Sequence, residues 1–316
     1  MVSSFKLENI ENGNSITFGQ TPASECLYKE DGLDWGSAPA THHTFSYPSQ
    51  LGQYISSTSV NGRTITIVGY VYYIPDEYER LTIPQSELPK YCYEKMLEKK
   101  RLLNNIVNPM QTVRLTIGSY YIEGKPDKSI VYGSDRNSNN EVFCSFMISV
   151  FCNNPLFRKI TLPSTFLKGV SPAFRFPLVF PKGEGIILGI RSNYSLIAIE
   201  NEGSIPTGAI IRLEANGTVT SPTITNLETG EFITINKTMV EGEVVEINTN
   251  DGNEKGVKGY LDGEELNYFK YWDFESTWLK FQIGTSLIGY SLASGDESLL
   301  DLSVTVNPLK YALEDM

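Results

Sequence analysis

Histidine is nearly missing from this chain: 316 residues hold two, and they are the adjacent His42 and His43. Neighbouring residues of a strand point to opposite faces, so this pair cannot hold one metal between them. No HExxH or Cys/His ligand spacing occurs either. Cysteine is almost as scarce. Cys26, Cys92, Cys144 and Cys152 are widely scattered with no CxxC pair, and they read as small apolar residues rather than disulfide partners or metal ligands. Positive charge is in deficit, 26 Lys and Arg against 37 Asp and Glu for a net of -11, which disfavours a surface for nucleic acid or anionic membranes. No apolar run approaches the ~18–20 residues of a membrane helix, so no membrane insertion is expected. The start, Met1-Val2-Ser3-Ser4-Phe5-Lys6-Leu7-Glu8, shows no basic segment leading into an apolar one, and no secretion leader is read there.

Catalytic signatures are absent in the same way. Gly289-Tyr-Ser291-Leu-Ala293 lacks the closing glycine of a nucleophile elbow. Gly183-Glu-Gly185 and Gly189 form a broken dinucleotide fingerprint with no helix behind it. The run Asn248 to Glu254 has the oxygen density of a calcium loop, yet Gly259 stands where an EF-hand needs its bidentate acid, and a polar hairpin loop is the simpler reading. The chain is therefore read as no enzyme, with no cofactor and no metal.

What the chain does have is folded composition, 41% apolar against 20% charged, and a length that fits two domains. Its charge is divided unevenly. Residues 1–160 hold 15 basic and 16 acidic side chains, a net of -1; residues 161–316 hold 11 and 21, a net of -10. Most of the sequence reads as short strands between turns, a mainly β protein. Asn12-Gly13 suits a type I′ hairpin between Phe5–Ile10 and Ser15–Phe18. Arg63–Tyr73 has apolar residues at both parities, as in a central strand covered on two sides. Gly118-Ser119 marks a tight turn, and Val142–Phe151 is a second long strand. One segment differs: residues 88–107 carry Cys92, Met96, Leu103 and Val107 at helical spacing, with Pro89 near the start and Pro109 beyond the end. This is the one helix expected. Its second half gathers Lys95, Lys99, Lys100 and Arg101, and Lys95, Lys99 and Arg101 are candidate subunit-interface residues beside the simpler reading of an amphipathic helix packed on a sheet.

Pro163, Pro172, Pro177 and Pro181 then space out an extended linker, 161–185. Beyond it, 186–316 reads as an antiparallel sandwich of short strands, including Trp278–Ile283, with no helix. Its most unusual feature is Tyr268-Phe269-Lys270-Tyr271-Trp272-Asp273-Phe274, followed by Trp278. Ring faces bind apolar sugar faces and flat protein surfaces, so Tyr268, Tyr271, Trp272 and Trp278 are candidate partner or glycan contacts. The simpler reading is a lid over one end of the core.

The order of these features resembles the distal tail proteins of long-tailed, non-contractile bacteriophages and prophages. The resemblance is carried by Arg63-Thr-Ile-Thr-Ile-Val-Gly69, the Leu- and Lys-rich helix, Asn108-Pro109, Tyr120-Tyr121-Ile122-Glu123-Gly124 and Cys152-Asn-Asn-Pro155-Leu-Phe157. Further on it is carried by Phe174-Arg-Phe176-Pro177-Leu-Val-Phe180-Pro181, Asn201-Glu-Gly203-Ser-Ile-Pro206-Thr207, Pro222-Thr-Ile-Thr-Asn226-Leu-Glu-Thr229-Gly230 and Phe281-Gln-Ile-Gly284. It implies a first domain (1–160) of β-sandwich with one α-helix and a projecting hairpin, and a second, galectin-like β-sandwich. It also implies a structural virion protein at the distal tail tip, assembled in the cytoplasm of the host bacterium. Such proteins form homo-hexameric rings between the tail tube protein and a tail-associated fibre or lysin protein, some with a receptor-binding protein. DNA is met only by passage through the central channel. The other class of function is a carbohydrate-binding adhesin using the C-terminal sandwich, although the galectin sugar set includes a His and this half has none.

Overall fold

The computed structural model describes residues 4–21, 24–48, 51–135, 138–160, 164–166, 170–172, 189–191, 196–252 and 255–313. They belong to two compact units, one of Met1–Ile160 with Tyr311–Met316, the other of Thr161–Lys310.

The first unit begins with β1 (Ser4–Asn9) and β2 (Ser15–Gly19), an antiparallel hairpin. The expected type I′ turn is not formed, because only Gly13 takes a positive φ, +72°. The buried Asn9 holds the turn instead. Its Oδ1 accepts the amides of Glu11 and Asn12, and its Nδ2 donates to the Ile106 carbonyl. Next come β3 (Cys26–Asp34), β4 (Ala40–Phe45), β5 (Tyr54–Val60), β6 (Arg63–Tyr72), α1 (Glu77–Thr82) and α2 (Leu88–Ile106). Then follow β7 (Val113–Ile117), β8 (Tyr120–Pro126), β9 (Val131–Tyr132), β10 (Phe143–Cys152) and β11 (Phe157–Lys159). Nine of these strands run β11-β8-β7-β1-β2-β3-β6-β10-β9 in one sheet, and β10 also pairs with β8, folding the sheet back on itself around one core.

β6 is central, between β3 and β10, and its two sides are covered unequally. Ile65, Ile67 and Val71 are fully buried, whereas Val68 and Tyr70 are half-buried and Thr64 is exposed. α2 packs Met96, Leu103 and Ile106 into the core and leaves Tyr93 exposed. A second helix, α1, corrects the expectation of a single one. It buries no residue, so it leaves no apolar period to read; a capping box between Asp76 and Glu79 starts it. Glu79 also accepts hydroxyl bonds from Tyr73 and Tyr91 at 2.7 Å each, tying α1 to the end of β6 and to α2. β4 and β5 stand apart as a two-stranded ribbon with every residue exposed.

Three thiols, Cys26, Cys144 and Cys152, are buried, and all four are free. Burial pushes the Cys26 and Cys152 thiols up to about 12, despite the counter-pull of Lys99 on one and Arg63 on the other. They pack as small apolar groups. Arg63 is itself buried, with its guanidinium over the Phe157 ring and Nη2 donating to the Tyr311 carbonyl. Leu313 sits in the same core, so the chain's last described residues complete the first unit rather than continuing the second.

The second unit is an antiparallel sandwich. Its strands are β12 (Ser164–Phe166), β13 (Val170–Pro172), β14 (Gly189–Arg191), β15 (Leu196–Asn201), β16 (Ala209–Ala215), β17 (Val219–Asn226) and β18 (Phe232–Thr234). They continue with β19 (Thr238–Met239), β20 (Val244–Asn248), β21 (Gly256–Leu261), β22 (Glu264–Asn267), β23 (Gly284–Ser294) and β24 (Leu300–Val306). One sheet runs β12-β24-β16-β20-β21-β22, the other β15-β23-β17-β18 with β19 also on β17, and β13 pairs with β14 alone. Between the sheets lie Ile211, Leu213, Val245, Ile247, Leu302 and Val304 from one side and Ile224, Ile233 and Ile288 from the other. β12 corrects part of the expected linker 161–185, because Ser164–Phe166 is an edge strand paired with β24. The stretch Phe174–Pro181 and residues 186–188 lie outside the described residues.

Two of the short motifs have direct physical causes here. Asn201 is fully buried; its Nδ2 donates to the carbonyls of Ile205 and Phe281, and its Oδ1 accepts the Gly203 amide. Asn226 caps the next hairpin by accepting the Glu228 amide, and Gly230 closes that turn at φ +74°. The expected strand Trp278–Ile283 is not in a ladder. Leu279 and Phe281 are buried while Gln282 is exposed, which is strand alternation, but a single bridge, Phe281 to Thr207, is its one β pairing.

Candidate functional site

The outward side of β20 and β21 is built by alternation along Val245–Asn248 and Gly256–Lys258, and β22 adds a fully exposed strand beside them. Val245, Ile247 and Val257 turn into the core, which sends Glu246, Asn248 and Lys258 outward. Register aligns Glu246, Lys258 and Asn267 across the three strands, and Gly256 beside Asn248 adds no side chain. β22 turns back from β21 through Asp262-Gly263, whose φ values of +53° and +83° are those of a type I′ turn. The result is a groove of about 850 Å³ lined by Glu246, Asn248, Lys255, Lys258, Glu265, Leu266, Asn267 and Phe269. Within it Lys258 pairs with Glu265 at 2.9 Å.

The aromatic run forms the groove's end. Asn267 Oδ1 accepts the Phe269 amide at 2.9 Å and starts a single 3₁₀ turn, Phe269–Tyr271. In a 3₁₀ turn, residues three apart eclipse. Tyr268 and Tyr271 therefore meet edge to face at 5.3 Å, while Phe269 stacks on Trp272 with 14° between planes. Trp278 joins the second column, 4.2 Å from Trp272 and nearly parallel to Phe269 at 11°. Lys255 lies over Trp278.

The two columns do different things. Tyr268 is 4% exposed and its ring lies against Gly259, where a Cβ would come within 2.2 Å of it. Its hydroxyl donates to Glu243 Oε1 at 2.5 Å, and Lys237 meets the same carboxylate at 2.6 Å. Burial alone would raise the Glu243 carboxyl, but the bonds from Lys237, Tyr268 and the Val240 amide outweigh it and hold the group below the usual range. Tyr268 is thus a core residue, and the expectation that it offers a partner contact is corrected: its face and its hydroxyl are both in use. Tyr271 is half-buried, under the ammonium groups of Lys237 and Lys270. Trp272 and Trp278 are half-buried against the core, while Phe269, 52% exposed, and Phe274, fully exposed, reach solvent. Phe269 is an exposed ring of the groove lining that the choice of Tyr268, Tyr271, Trp272 and Trp278 overlooks; its i,i+3 relation to Trp272 is the signal that finds it. The loop from Asn248 to Glu254 holds no calcium cluster among its described residues; Asp251 pairs with Lys280 at 2.9 Å and Lys255 at 3.6 Å.

In the first unit, two of the three cations named on α2 are engaged within their own chain. Lys95 pairs with Glu98 at 2.9 Å, and Lys99 donates to the Glu25 carbonyl while lying over Tyr72 and Tyr73. Arg101 is exposed. The ribbon β4–β5 carries a separate exposed aromatic group, in which Phe45 stacks on Tyr54 at 5.6 Å and meets Tyr47 edge-on at 5.3 Å. His42 and His43 are exposed on this ribbon, with His42 bonded to Thr58. Among the described residues no three His, Cys, Asp or Glu side chains are placed to hold a metal, and no helix is long and apolar enough to cross a membrane.

Comparison with known proteins agrees with the resemblance read from the sequence. Residues 202–302, all in the second unit, match the family of siphovirus-type tail components, C-terminal domain. The fold is similar to the crystal structure of the Dit protein of phage SPP1, described as a paradigm of the hub adsorption apparatus in phages infecting Gram-positive bacteria. That match has 12% identity, covers 96% of this chain and 98% of the other, and has a TM-score of 0.58. A chain of the phage P2 baseplate in its activated, calcium-bound conformation matches at 13% identity over 99% and 100% of the two chains, with a TM-score of 0.47. None of the curated proteins matches the sequence. The likeness to the distal tail proteins is shown by sequence over 202–302 and by fold along nearly the whole chain.

Proposed function

We propose that this chain is a structural hub of the distal tail tip of a long, non-contractile phage tail. In this reading it forms a homo-hexameric ring through its first unit, with the tail tube protein on one side and a tail-associated fibre or lysin protein on the other. A receptor-binding protein joins the same assembly, DNA passes through the central channel, and the protein acts as scaffold rather than enzyme. It is built in the host cytoplasm and ends in the virion. One observation carries the reading: a tail-component family match in the second unit coincides with a whole-chain fold similar to that of a phage hub protein.

Two features of the first unit support it. A near-neutral charge balance lets broad surfaces meet without like-charge repulsion. The β4–β5 ribbon also exposes Phe45, Tyr47, Tyr54 and Ile55, the last at 60%, and an isolated two-stranded hairpin is marginal in water, so a neighbouring copy is the natural cover. Arg101, with Lys95 and Lys99 beside it, is proposed to face that neighbour as well. Negative-stain microscopy of the pure full-length protein at several concentrations tests the reading. Six-fold rings are expected, and Phe45→Ser combined with Tyr54→Ser should return them to folded monomers, since neither ring belongs to the core. A wild-type chain that stays monomeric at every concentration overturns the ring.

A further inference from the structure

We propose that the groove on the outward side of β20–β22 binds a neutral oligosaccharide, with Phe269 as its stacking platform. The inference does not depend on the ring, because every residue it uses lies in the second unit.

Three properties of the groove select the ligand. The first is charge. Lys255 and Lys258 are balanced by Glu246 and Glu265 on the same lining, so a net charge on the ligand gains nothing there. The surrounding unit, rich in acid, would also repel the phosphates of nucleic acid. The second is hydrogen bonding. Asn248 Oδ1 accepts the Asn250 amide, and Asn267 Oδ1 accepts that of Phe269, so both side-chain amides are held in orientation with their NH₂ groups left to donate. Glu246 and Glu265 supply acceptors suited to hydroxyl donors. Fixed donors beside acceptors match the alternating hydroxyls of a sugar edge.

The third property is the platform. Phe269 is half exposed, yet its plane is set by near-parallel neighbours, Trp272 and Trp278, which are themselves anchored on the core. A preorganised ring face next to polar groups is what the C–H face of a pyranose requires. An apolar peptide would find Val257, Leu266 and Phe269 interrupted by four charged and two amide side chains. Gly256 leaves the floor open: a Cβ added there would meet nothing within 4 Å.

The test uses the full-length protein on a printed array of neutral hexose and N-acetylhexosamine oligosaccharides, with sialylated and sulfated glycans alongside. Hits are then titrated by intrinsic fluorescence, which is well placed because two of the three tryptophans stand at the groove. Neutral glycans should bind, and Phe269→Ala and Asn248→Ala should each weaken binding roughly tenfold. Both variants should keep the wild-type far-ultraviolet spectrum, since Phe269 and Asn248 lie outside the core cluster. No neutral glycan bound at millimolar concentration, binding confined to charged glycans, or unchanged binding in Phe269→Ala each overturns the proposal. Attachment to host envelopes that survives periodate oxidation of their sugars would replace the saccharide with a protein partner.

Discussion

Glu243 is a buried charge of the second unit with three hydrogen-bond donors on one carboxylate. It is fully buried, and its carboxylate is the shared acceptor of Lys237, Tyr268 and the Val240 amide. Glu243→Gln keeps the shape but leaves Lys237 facing a neutral amide with little access to water, and breaking such a pair costs about 3 kcal/mol. The pH dependence has a definite sign. The folded carboxyl titrates below its ordinary value, so its contribution is complete above the unfolded value near 4.5 and is lost as pH falls through the lower folded value. Urea unfolding of the second unit between about pH 3 and pH 7 should show a steep acid loss in wild type that flattens in Glu243→Gln. An equal acid slope in both proteins would mean that other carboxylates carry it. The same network holds Tyr268, the residue before the 3₁₀ turn that presents Phe269, so a carboxylate outside the groove's lining supports the platform.

At the scale of elements, the β21–β22 hairpin forms one wall of the groove and depends on its turn. Asp262 and Gly263 both take positive φ, which costs a residue with a Cβ about 1 kcal/mol, less for Asp and Asn. Gly263→Ala should therefore speed hydrogen exchange of the β21–β22 amides, while Asp262→Asn should leave it nearly unchanged; equal effects from the two would argue against this turn geometry. The sequence pattern located the strands with a buried parity, such as Val142–Phe151, and the Gly118-Ser119 turn, where Ile117 and Tyr120 do pair. It passed over β22, because Glu264–Asn267 is exposed throughout and has no alternation to read. It passed over α1 for the same reason. The aromatic run stands out in the sequence, but which of its rings face outward does not. That depends on a 3₁₀ turn begun by Asn267, and strand parity assigns the rings to the wrong sides.

At the scale of the molecule, assembly and charge make opposing demands, and salt separates them. Six copies of a half with 11 basic and 21 acidic side chains repel one another if the chain forms a ring. If the ring is held by apolar contacts such as those offered by the β4–β5 ribbon, screening relieves that repulsion and costs the contacts nothing. Raising ionic strength from about 10 mM to about 150 mM shortens the Debye length from ~30 Å to ~8 Å, so association measured by mass should strengthen over that range. An interface built instead on Lys95, Lys99 and Arg101 against acidic neighbours would weaken over the same range. The intramolecular bonds of Lys95 and Lys99 favour the first outcome, since each would have to give up Glu98 or the Glu25 carbonyl to reach another subunit. The measurement belongs on the full-length chain. A piece ending at residue 160 would lack Leu313 from its core and leave Arg63 without the Tyr311 carbonyl, and its association would then report on that damage.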